Sequence, residues 1–365
     1  MTASTSIALC TVINTQPRGV TRAAQSSTWA SDARPAKRCN TASSHNDNIN
    51  REVHGFTVFN TTFRHFQTMT RGRVTPALAL VLASVLAMSG CSTVTIAKLG
   101  YNQAPDLAYW WLDDYADFNG AQSLQVKAAL ARLQDWHRQT QLPVYAQSLK
   151  LIRAQAPGDI SAEQACRTAA EVRSRIALVI DQIEPAAANV ASSLQPAQLD
   201  TLARKFTKVN AEWRSDFIES PAKKVQAKRF KQTRERFEML YGSLSDAQND
   251  ALKLAITQSV FDPKMAYAER LRRQQDTLQT LKAITAEAAP SADAGTNARA
   301  SVHALIGRAL TSPDAPYRRY QEALTAEGCA MFAEVHQRAT PAQRRQAAQT
   351  LQRYEALMLS LAEAP

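Results

Sequence analysis

Glycine is scarce in this chain, 11 residues in 365, cysteine numbers 5 and aromatic residues make up 7%. Runs that alternate apolar and polar residues as half-buried strands do are almost missing. The chain has no HExxH, no paired CxxC, no GxSxG and no glycine-rich phosphate loop, so nothing in it nominates a zinc hydrolase, a thiol redox centre, a serine esterase or a nucleotide site. No cofactor and no metal are expected. The formal charge of +11 suggests anionic partners, but the first 90 residues hold 9 Lys/Arg against 3 Asp/Glu, which leaves 34 against 29 in the rest. Nucleic-acid binding needs a concentrated basic surface, and this mild excess does not supply one. What the chain does have is apolar material, 45% of its residues and ample for a core.

Residues 1–68 are rich in Ser, Thr, Asn and Arg without a sustained apolar period, and are expected to be a disordered or mis-assigned upstream extension. The text changes at Met69, where translation is expected to begin. Arg71 and Arg73 form a positive n-region and Pro76 to Met88 an apolar run, before Ser89, Gly90 and Cys91. That order makes 69–90 a signal peptide, too short in its apolar part for the roughly 20 residues that cross a bilayer. The end of it resembles a lipobox, with Met88 where Leu is usual. The resemblance implies cleavage before Cys91, acyl chains such as palmitate on its thiol, and attachment to a membrane through them. Ser92 at the following position resembles lipoproteins sorted to the outer membrane, facing the periplasm, rather than those kept in the inner membrane. Residues 91–104 then read as a tether and 105–365 as the exported domain.

That domain carries apolar stripes at spacings of three and four. Leu199, Leu202, Phe206, Val209, Trp213 and Phe217 form one, and Ala347, Leu351, Tyr354, Met358 and Leu361 another. Each stripe gives a helix one face to bury, so the fold class is all-α, a bundle of about eight to ten amphipathic helices. Start signals recur: Ser161, Ser245 and Thr340 each stand three residues before a Gln, and Gln195 with Gln198 is a weaker copy. A hydroxyl that accepts from the third helical amide while the Gln reaches back is a capping box, which sets helix starts near 161, 196, 245 and 341. With the preceding aliphatic residue these pentads resemble the LTxxQ signature of Spy-like periplasmic chaperones, although any capping box with an aliphatic staple gives the same pattern and a plain cap is the preferred reading. Their separations of 34, 50 and 95 residues exclude a solenoid.

Two Trp, three Tyr and a Phe crowd residues 101–118. Helical phase puts Leu107, Trp111, Asp114, Tyr115 and Phe118 on one face, and His137 at the end of the stripe Val126, Leu130, Leu133. If the two helices form a hairpin, Asp114 and His137 make a buried polar pair, structural rather than catalytic. Lys224, Lys228 and Lys231 share a face and form a basic ridge, suited to an anionic envelope component or left solvated. Cys166 and Cys329 remain in the mature domain with Cys91, and an oxidising compartment permits a disulfide between them. Free buried thiols are the alternative, and a Cα separation above about 7 Å would exclude the bond.

The segment from Tyr101 to Phe118, with Trp136-His137-Arg138 and Leu142-Pro143, resembles a group of uncharacterised proteobacterial lipoproteins defined only as a domain of unknown function. In that group a lipobox precedes a YNxAPxLxYWWLDDYxDF-like segment, and the likeness covers roughly residues 86–362. It implies an envelope lipoprotein and brings no catalytic residues. The expected function is a non-enzymatic binding or envelope-maintenance module, with a periplasmic protein or anionic envelope component as partner. A Spy-like chaperone or stress adaptor, and an enzyme using Asp114 and His137, are the alternatives.

Overall fold

Helix follows helix from Ser92 onward because each stretch between breaks has an apolar face, and several open on a capping box. In the computed structural model, which describes residues 92–287 and 294–363, these are α1 (Ser92–Asn102), α2 (Ala104–Ala116), α3 (Gly120–Trp136), α4 (Leu142–Gln155), α5 (Ala162–Ser193), α6 (Pro196–Phe217), α7 (Ala222–Tyr241), α8 (Asp246–Thr257), α9 (Pro263–Glu287), α10 (Ala294–Leu310), α11 (Ala315–Gln337) and α12 (Pro341–Ala362). No strand occurs among the described residues, and the all-α bundle read from the stripes is the fold. The upstream extension, the signal peptide and Cys91 lie outside the described residues.

The capping boxes place the helix starts as their chemistry requires. Ser161, Ser245 and Thr340 each accept from the backbone of the Gln three residues on, and that Gln returns a bond to the cap amide. Before Pro196, where a missing N–H costs nothing, the Gln198 amide bonds the Gln195 carbonyl instead, and the Gln198 side chain returns a bond to the Gln195 amide. Between α3 and α4 the rod passes through one π-helical turn, His137–Gln141, with the Leu142 amide bonded to the His137 carbonyl. Pro143 has no N–H to continue the ordinary ladder, and a one-residue wider turn accommodates it.

Three apolar clusters hold the bundle. Phe237, Tyr241, Leu252, Ile256, Val335 and Ala347 join α7, α8, α11 and α12. Ala188, Ala191, Ile284, Ala298 and Val302 join α5, α9 and α10, where small residues let the helices approach closely. Leu142 of α4 meets Leu357 and Leu361 of α12, with Ala97 and Tyr101 of α1 packed against them. That last contact corrects the expectation of a tether over 91–104. Ala97 and Tyr101 are one helical turn apart, and their partial burial helps to repay the ordering of the segment that carries them.

Candidate functional site

Gln103 between α1 and α2 keeps right-handed helical torsions (φ −87°, ψ 0°), and the amides of Gln103 and Leu107 bond four residues back, so the two helices run on as nearly one rod. The rod ends at Asp117, a non-glycine residue in the left-handed region (φ 49°), whose amide bonds the Asp113 carbonyl. The Asp113 carboxylate accepts from the Phe118 amide at 2.9 Å, and Asn119 caps α3 in a further capping box with Gln122. The chain thus reverses, and α3 runs back along α2.

In this hairpin the buried aromatic is Tyr109. Its hydroxyl donates to Ser123 at 2.9 Å and the Lys127 ammonium sits 4.4 Å over its ring. Leu107, Trp110 and Trp111, by contrast, are 42%, 64% and 61% exposed. Of the face expected to be buried, Leu107 and Trp111 therefore look outward, because α3 packs against the side of α2 that carries Tyr109, while Tyr115 is half-buried against Phe206 of α6. Leu99 in α1 is exposed as well.

Asp114 and His137 do not meet. An antiparallel hairpin that turns near residue 118 sets Asp114 beside the start of α3 and leaves His137, at its far end, beside α1. The Asp114 carboxylate is exposed and pairs with the Lys205 ammonium of α6, which also lies over the Tyr115 ring. His137 is half-buried: Nδ1 is 3.0 Å from the Tyr101 hydroxyl, and the Tyr145 ring meets its edge at 5.4 Å between centroids. Burial holds the His137 pKa below its ordinary value and pushes the Tyr101 phenol up to about 12. A neutral imidazole between two phenols, with no carboxylate on it, is built for packing and hydrogen bonding.

The glutamines of the capping boxes do more than cap. Gln122 and Gln198 exchange amide hydrogen bonds at 2.8 and 3.1 Å, while Gln122 also donates to the Ser193 carbonyl and Gln198 to the carbonyls of Ala116 and Asp117. Gln343 donates to the Gln248 side chain at 2.8 Å and to the Ser243 carbonyl, and the fully buried Gln248 donates to the Val335 carbonyl. Each pair locks one helix start against another and satisfies carbonyls that end the preceding helices. The Asn119 box was overlooked in sequence, though an Asn three residues before a Gln is the same signal.

Cys166 of α5 and Cys329 of α11 are joined by a disulfide, with their Cα atoms 5.3 Å apart. On α7, Lys224 and Lys231 are exposed, whereas Lys228 is neutralised by Asp216 at 2.6 Å and lies over the Phe217 ring, so the basic ridge is interrupted in its middle. A shallow open groove of about 460 Å³ runs between α4 and α12, lined by Lys150, Arg153, Arg345 and Gln352 among others. Arg153 there is paired with Glu355. Among the described residues no cluster of His, Cys, Asp and Glu could hold a metal ion, and no helix is long and apolar enough to cross a membrane.

These features define an all-helical bundle fastened by glutamine-paired helix starts, with an outward-facing aromatic stripe at its N-terminal end. Residues 114–289, just under half of the chain, match a family of unknown function (DUF6279). The match begins inside α2, so Trp110 and Trp111 lie outside it. No curated protein matches the chain, and no solved structure does.

Proposed function

We propose that the chain is a lipoprotein of the cell envelope, anchored through acyl chains on Cys91 to the outer membrane and facing the periplasm, and that its helical domain is a non-enzymatic binding or envelope-maintenance module. The observation that carries the reading is the order of Arg71 and Arg73, the apolar run Pro76 to Met88, and Ser89-Gly90-Cys91. The disulfide between Cys166 and Cys329 supports it, since such bonds persist in oxidising compartments. The separation of Asp114 from His137 removes the constellation on which an enzyme reading stood. A chaperone of the Spy-like kind is the second reading, favoured by the exposed Leu107, Trp110 and Trp111.

Intact mass of the protein extracted from membranes tests the anchor. A mature N-terminus at Cys91 carrying diacylglyceryl and acyl groups is expected. An unmodified Cys91, or membrane retention and mass unchanged in Cys91→Ala, overturns it.

A further inference from the structure

Leu99, Leu107, Trp110 and Trp111 are all exposed, and on the nearly continuous rod of α1 and α2 they stand at intervals of eight, three and one residues. At 3.6 residues per turn these positions share one side of the rod. The opposite side carries Tyr101 and Tyr109, which fasten the rod to the bundle through Gln134 and His137 at one end and Ser123 at the other. The rod is therefore held with its apolar stripe outward. It also begins at Ser92, one residue after the cysteine proposed to carry the acyl chains, and at about 1.5 Å of rise per residue Trp111 lies within roughly 30 Å of that point along the chain. A stripe so close to an anchor has a bilayer surface always within reach.

We infer that this stripe lies in the headgroup boundary of the membrane holding Cys91, with Trp110 and Trp111 inserted and the rod parallel to the surface. The inference rests on the lipid-anchor reading. Indole is suited to that depth, since its apolar rings enter the acyl boundary while its N–H finds water or ester oxygens. The charge on the rod selects the kind of surface. With Asp114 already paired to Lys205, Lys98 is set against Asp106 and Asp113, a mildly acidic balance that gains nothing from an anionic leaflet and suits a zwitterionic one. The stripe thus sets the orientation of the bundle, where flexible acyl chains alone would let it tumble.

The test uses the full chain, purified from membranes in detergent and reconstituted in phosphatidylethanolamine–phosphatidylcholine vesicles that contain brominated phosphatidylcholine, a contact quencher of tryptophan. Strong quenching is expected, at least halved in Trp110→Phe/Trp111→Phe, whose far-ultraviolet dichroism and melting should match the parent. Replacing phosphatidylcholine by phosphatidylglycerol should not deepen it. Quenching equal in parent and double variant overturns the inference while the anchor stands, as does protection of both tryptophans from lipid bromine and aqueous acrylamide alike, which would place a second copy or another protein on the stripe. Absence of acyl groups from Cys91 by mass fails the anchor reading and this inference with it.

Discussion

At the scale of single residues, His336 is a buried group that a change of pH would reach. It is fully buried; Nε2 lies 2.7 Å from the Gly158 carbonyl, which can only accept, so Nδ1 must accept from the Tyr241 hydroxyl at 2.8 Å. Both bonds are made by the neutral ring, and burial holds its pKa below the ordinary value, as it does for His137. The unfolded chain takes up these protons as pH falls through about 6.5 while the folded chain refuses them, so stability is full above that range and declines below it. Melting temperature should drop from pH 7.5 to pH 5 (about the range of histidine titration), and more gently in His336→Gln; equal slopes in the two proteins would remove His336 from the account.

Asp114 and His137 belong to separate contacts, and their substitutions should add. Asp114→Asn breaks an exposed pair with Lys205 and should cost less than about 1 kcal/mol. His137→Ala should cost on the order of 1–3 kcal/mol, because it removes the imidazole that bonds the Tyr101 hydroxyl and packs on the Tyr145 ring. Urea unfolding of both singles and the double should give a coupling within about 0.5 kcal/mol of zero. A larger coupling would mean that the hairpin does not hold them apart.

Among elements, the paired helix starts are the joints to probe. Gln248→Leu leaves the Ser245 amide, the Val335 carbonyl and the Gln343 side chain short of a partner in the core, an expected loss on the order of 2–3 kcal/mol. Gln343→Leu should then cost little more on top of it, read from denaturation midpoints. Full additivity would show that the two glutamines act only as separate caps. The starts of α5, α6, α8 and α12 were legible in the sequence because a capping box is local chemistry, decided within four residues. Their pairing was not, since Gln248 and Gln343 meet only through the packing of four helices. For the same reason the stripes marked α2 as a helix but misjudged its buried face. Aromatic residues lie all round it, and only the position of α3 decides that Tyr109 goes inside and Trp111 outside.

For the molecule as a whole, the Cys166–Cys329 bond spans 163 residues of sequence and ties α5 to α11. In the chain-entropy view such a closure contributes up to about 4–5 kcal/mol, most of it by restricting the unfolded chain. Adding reductant, or replacing both cysteines by serine, should lower the melting temperature markedly and leave the helical dichroism of the native state in place. An unchanged melting point would show that the bond forms without bearing on stability.

Helix α12, the last described, packs along α4 and seals Tyr101 and Ala97 of α1, the first. Ribosomes deliver those partners far apart in time. While the polypeptide is still growing, the flank of α4 around Leu142 waits uncovered until Leu357 and Leu361 have been made, so this part of the core closes late. A factor that shelters that flank in the interval, such as a holdase, should therefore raise the yield of finished protein.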